Sequence, residues 1–158
     1  DLLVNIPAMG YEVKFEALNE LELDLIVRDG LFGIFNGVQY LQPLLEQSAQ
    51  AKVVNIYPQS QLQQKVGFAG AVVAASLDML TKCLANELKR YGIKVNSICP
   101  VNKISEVLKE PKVISEITNT LDSILHDRGK KLTGQIYSID KGRRVLFDTH
   151  VVSEVLNV

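Results

Sequence analysis

The chain has 158 residues, 47% hydrophobic and 22% charged, with 17 Lys+Arg against 18 Asp+Glu and a formal charge of -1. This is the composition of one globular domain, and it excludes collagenous, disordered and disulfide-scaffold proteins. Without a polybasic field to gather phosphate backbones, it also excludes nucleic acid as the expected partner.

The elements alternate along the chain. Leu2-Leu3-Val4-Asn5-Ile6, ended by Pro7 and Gly10, reads as a strand buried on both faces. The chain opens on this run at Asp1 with no signal-peptide pattern. Tyr11, Glu12, Lys14 and Glu16 read as exposed loop residues. Asn19 and Glu22 stand at capping-box spacing before a helical apolar pattern that runs from Leu21 to Leu44. Val53-Val54-Asn55-Ile56 is a second strand. Val66 to Arg90 reads as a long helix stopped by Gly92, and 93–98 as a third strand. Pro111 opens a helix carried by Val113, Ile114, Ile117, Leu121, Ile124 and Leu125, and Gly129 ends it. Residues 134–140 form a fourth strand, and the tail from Val145 has no clear type. No apolar run reaches the roughly twenty residues of a membrane span before Asp, Lys, Asn or Gln breaks it. Strands separated by crossover helices define an α/β class with a parallel sheet and helices on both faces, in a single domain over 1–158.

Several of these segments resemble one family, the short-chain dehydrogenases/reductases. Asp1 to Ala8 is similar to the family's strand and Asn-Asn-Ala-Gly turn, and Gly33, Phe35, Gln39 and Pro43 stand at its spacing on the next helix. Val53-Val54-Asn55-Ile56 resembles the segment before the catalytic serine. The strongest match joins Leu77-Asp78-Met79-Leu80-Thr81-Lys82 through Glu87-Leu88 to Gly92-Ile93-Lys94-Val95-Asn96-Ser97-Ile98-Cys99-Pro100, and Leu132 to Asp140 resembles the closing Ile-Thr-Gly-Gln strand. The resemblance implies a partial Rossmann-like sheet that lacks the first dinucleotide-binding βαβ unit.

The family's chemistry uses a tyrosine as proton donor, a lysine four residues later, a polarising serine and a helix asparagine. On this resemblance those positions fall on Gly70, Ala74, Pro58 and Gly30, none of which carries a protonable side chain. Tyr57 and Ser60 lie near the serine position, but no lysine stands in helical register with either. No Gly-x-x-x-Gly-x-Gly phosphate loop occurs, and Gly30, Gly33 and Gly37 fall inside a helix, where close packing is their expected role. The stretch between Pro100 and Pro111 is too short for the family's substrate lid. No cofactor is expected, and no metal either, because His126 and His150 have no ligand cluster at metal spacing. Cys83 and Cys99 read as reduced thiols, which favours an intracellular reducing compartment.

In this family the two long helices commonly pack against the same pair of another subunit. Gly67, Gly70, Ala71, Ala74 and Ala75, with Leu77 beside them, recur at three- and four-residue intervals and make one helix face smooth enough for such a partner, or equally for the chain's own sheet. The basic patches at 127–131 and 141–144 read as solvated loops. The expected function is a non-catalytic dehydrogenase-like subunit that docks to a homologous subunit or a larger complex. The alternatives are an NAD(P)H-dependent carbonyl reductase whose nucleotide-binding half lies upstream or on another chain, and a ligand sensor using a cleft beside Pro58 and Pro100.

Overall fold

The computed structural model describes residues 1–9, 13–59, 63–101, 104–126 and 132–146. The expectations for Gly10, Tyr11, Glu12, Ser60, the patch at 127–131, His150 and residues 147–158 lie outside them.

Five strands form one sheet in the order β1 (Leu2–Asn5), β2 (Lys52–Ile56), β3 (Lys94–Pro100), β4 (Ile136–Asp140) and β5 (Arg143–Leu146). The first four are parallel, and β5 returns antiparallel on β4. The expected α/β class and the four expected strands are present; β5 is the addition. It pairs because Lys141 and Gly142 both adopt positive φ, at 47° and 75°, the geometry of a two-residue hairpin of primed type.

One face of the sheet carries α1 (Glu20–Val27), α2 (Gly33–Leu45) and α3 (Gln63–Leu88). Asn19 accepts from the Glu22 amide at 3.0 Å and donates its own amide to Glu22 Oε2 at 3.2 Å, so the expected capping box starts α1. The single long helix expected here is interrupted by a π-helical turn, Arg28–Phe32, between α1 and α2. The wider turn inserts an extra residue and brings the buried Gly30 against α3.

The other face carries α4 (Ile104–Val107) and α5 (Pro111–Leu125), with Pro111 in the first turn of α5 as expected. Two apolar layers result. Ile26, Ile34, Val38, Val53, Val73 and Leu77 lie on the α3 side, and Val54, Ile56, Ile98, Val113, Ile124 and Ile139 on the α5 side. Each such fully buried side chain contributes about 1.5–3 kcal/mol.

By length and composition alone, Gly67–Tyr91 is apolar enough to cross a membrane, even though Asp78, Lys82 and Glu87 interrupt its apolar run. In the fold its Val73, Ala74, Leu77, Ala85 and Leu88 are buried in the core beside the sheet. α3 breaks at Gly67, where φ is 73° and ψ 171°, a backbone that L side chains rarely adopt. Just past this kink Phe68 meets Phe15 edge to face at 5.0 Å, which fastens the segment after β1 to the start of the long helix.

Candidate functional site

The carboxyl ends of β2 and β3 meet α3 in a buried polar cluster. Parallel register places Asn5, Asn55 and Ser97 in one row on the α3 side of the sheet. Asn5 Nδ2 donates to Asn55 Oδ1 at 2.9 Å, and Asn55 Nδ2 donates to Thr81 Oγ1 at 3.1 Å. Thr81 and Ser97 share a hydroxyl–hydroxyl bond of 2.7 Å. The row therefore crosses three strands and is closed from above by one helix residue, so each buried polar group finds a partner.

One step further along the strands stand Tyr57 and Cys99, both fully buried. The Tyr57 hydroxyl donates to Asp78 Oδ1 at 2.9 Å. Burial pushes the Tyr57 hydroxyl well above its ordinary value of 10.0; the nearby Cys99 and Asp78 charges add to this, and hydrogen bonding with Ser97 and Thr81 opposes it. Burial also lifts the Cys99 thiol well above 9.0, with Asp78 adding to the effect. Both groups are neutral at physiological pH, and Tyr57 acts there as a fixed hydrogen-bond donor.

Past the strand ends the backbone ladder continues. Tyr57 donates its amide to the Ile98 carbonyl at 3.3 Å, and Gln59 donates its amide to the Pro100 carbonyl at 3.0 Å. Ser138 on β4 donates to Gln59 Oε1 at 3.0 Å. Gln59 thus ties together β3 and β4 beside Pro58.

The four positions singled out from sequence lie around this end of the fold. Pro58 is buried directly after Tyr57, and Gly70 and Ala74 are buried on α3. Gly30 is buried opposite Val73, whose Cγ1 would stand 2.5 Å from a Cβ on residue 30. Close packing is therefore the role of Gly30, as expected. Gly33 and Gly37 meet only ordinary contacts at 3.8 and 3.5 Å.

The smooth stripe proposed as a docking face is divided by the fold. Gly70, Ala74 and Leu77 are buried in the chain's own core, and Gly67 and Ala71 are half-buried. Ala75 alone of the six is exposed, because small residues at this spacing let α3 settle against its own sheet. The exposed apolar surface of this helical layer lies instead at Phe32, Phe35, Tyr40 and Leu44 before the sheet, and at Val72 and Met79 on α3. Among the described residues, no group of three potential metal ligands converges.

The fold is that of an α/β protein with a mostly parallel sheet flanked by helices, and the comparisons with known proteins say which family it belongs to. Residues 1–111 match the short chain dehydrogenase family, and the chain belongs to it. A 3-oxoacyl-[acyl-carrier-protein] reductase of Staphylococcus epidermidis is 26% identical over 160 residues, covering 90% of this chain and 66% of that protein. The corresponding reductase of Staphylococcus aureus is 26% identical over 163 residues, with 90% and 65% covered. The chain thus spans just under two thirds of the length of these relatives. Among solved structures, acetoin dehydrogenase from Salmonella typhimurium superposes with a TM-score of 0.76 at 22% identity, covering 90% of this chain and 63% of that one. A 3-ketoacyl-(acyl-carrier-protein) reductase from Brucella melitensis complexed with NADH gives 0.73 at 18% identity, covering 92% and 67%. These structural likenesses bear on the fold alone.

Proposed function

We propose that this chain is a non-catalytic subunit of short-chain-dehydrogenase architecture that docks to a homologous subunit. The carrying observation is the state of Tyr57, the one tyrosine beside the serine position. It is fully buried, its hydroxyl is committed to Asp78, and its environment opposes ionisation. Gly30, Gly70 and Ala74 supply no alternative acid or base, and a nicotinamide dinucleotide would find no ammonium at Ala74 and no hydroxyl at Pro58. The residues at these positions do not fit that cofactor.

Two surfaces are suited to docking. The exposed apolar residues on α2 and α3 offer helix-on-helix packing, and β1 is an edge strand with Leu2, Val4 and Ile6 exposed. Native mass spectrometry of the protein purified from its source tests the reading. A complex with a second, related chain is expected, and a lone monomer at physiological concentration overturns it.

The second reading is a carbonyl reductase completed by sequence outside these 158 residues. Its support is the 26% identity to acyl-carrier-protein reductases over 90% of the chain. Titration of the complete assembly with NADPH separates the two readings. Saturable enhancement of nicotinamide fluorescence together with turnover of an acetoacetyl thioester establishes the reductase, and neither is expected of the subunit.

A further inference from the structure

Among the described residues β1 has a strand neighbour on one side only, and the alternation of the strand fixes which of its groups are left over. Lys52 donates its amide to the Asp1 carbonyl at 2.9 Å. Residues 1, 3 and 5 therefore turn their backbone groups towards β2, and Leu2, Val4 and Ile6 turn theirs outwards. Side chains alternate with the same period. Leu3 packs against the core on the α3 side and Asn5 bonds Asn55 there, which places Leu2, Val4 and Ile6 on the α5 side. Because α5 packs mainly on β3, β4 and β5, all three are exposed, Ile6 at 59%.

On the opposite side of the sheet α2 packs on β1 and β2, with Gly37 next to Asn5. Phe35, Val38, Gln39 and Gln42 face α3 across a small cavity. With about 3.6 residues per turn, Tyr40 and Leu44 then point away from α3, over the margin of the sheet. Both are exposed, Tyr40 at 79%. One margin thus combines outward backbone groups, an apolar row below and an apolar helix face above.

We propose that this margin pairs with the same margin of a second copy of the chain, through antiparallel β1 strands about a two-fold axis at Val4. The proposal rests on the docking reading above and names the partner at β1. With Val4 facing its own counterpart and Leu2 facing Ile6, every outward donor and acceptor of these three residues finds a partner. Leu3 and Asn5 stand opposite each other, so no charge meets a charge. The same axis lays the Tyr40 and Leu44 faces of the two α2 helices side by side. A second copy is favoured because the margin complements itself, whereas the β5 edge of another copy would set Arg143 and Arg144 against an uncharged row. Val72 and Met79 lie outside this contact, on α3, which packs over β3.

The test uses the whole 158-residue chain on its own. Light scattering should give twice the 17.5 kDa of the chain at about 100 µM, since a contact this short belongs to the weaker class of interfaces. Val4→Lys sets two ammonium groups opposite each other and should raise the dimer Kd at least about tenfold. Val4→Pro removes the outward N–H without touching a bond to β2 and should do the same, which serves if the lysine variant fails to fold. In the parent, hydrogen exchange of the Val4 and Ile6 amides should slow as concentration rises, while Leu3 and Asn5 change little. A monomer throughout, a dimer kept in both variants, or Val4 protection that is independent of concentration overturns the proposal. If the lone chain stays monomeric yet joins a related chain in native mass spectrometry, the second copy is wrong and the docking reading stands.

Discussion

Val73 on α3 fills the space that a side chain on Gly30 would occupy, its Cγ1 standing 2.5 Å from the position of a Cβ there. Both residues are buried, so neither can turn aside into solvent. Gly30→Ala should therefore cost about 1–3 kcal/mol by overpacking. Removing the obstacle as well should recover part of that loss. In a double-mutant cycle measured by urea unfolding, Gly30→Ala with Val73→Ala should be more stable than the two single effects predict by about 1 kcal/mol. Strict additivity would show that the contact carries no energy.

The Tyr57 hydroxyl gives a second expectation. Tyr57→Phe leaves the buried Asp78 carboxylate short of a donor and should lower stability by about 1–3 kcal/mol. Denaturant midpoints of the variant and the parent measure this directly. Any activity found in a complete assembly should survive the substitution, because a buried donor held by Asp78 transfers no proton to substrate.

The same cluster fixes the response to alkali. Burial raises both Cys99 and Tyr57 above their ordinary values, so the folded state keeps protons that the unfolded chain releases. Their contribution is fully present below about pH 9 and is lost as pH rises, first through Cys99 and then, above about pH 10, through Tyr57. Each group adds a slope of up to about 1.4 kcal/mol per pH unit. Unfolding free energies followed from pH 8 to 11 should fall in two stages, and Cys99→Ala should remove the earlier one.

The divided stripe on α3 separates folding from assembly. Ala74→Arg places a charge in the core and should abolish cooperative unfolding, a loss above about 4 kcal/mol. Met79→Arg, on the exposed side, should leave the isolated chain within about 0.5 kcal/mol of its parent and yet weaken assembly. Circular dichroism reads the first effect and size-exclusion light scattering the second. A complex that forms unchanged with Met79→Arg would move the interface elsewhere.

The alternation of strands and helices was legible because buried parallel strands and capped helices leave local marks, such as the Val53-Val54 run and the Asn19/Glu22 pair. The β5 return was missed although its turn is encoded in Asp140-Lys141-Gly142-Arg143, because an apolar tail hides the two-residue hairpin. The π turn leaves no mark in periodicity, since one inserted residue resembles a drift of the apolar face. Which side of α3 meets the sheet is equally hidden: Gly70, Ala74 and Leu77 show a smooth stripe, and spacing does not say what lies against it. Tyr57 and Asp78, 21 residues apart, meet only through the packing of α3 on β2.

The two margins of the sheet differ in kind. β5 presents Arg143 and Arg144 along its short exposed length, and such cationic margins discourage a further strand. β1 offers Leu2, Leu3, Val4 and Asn5 with no charge among them. In the proposed complex, strand addition is one-directional, with a berth on the β1 side of these 158 residues and a guarded flank at β5, so pairing through β1 closes at a discrete pair instead of extending into a fibre.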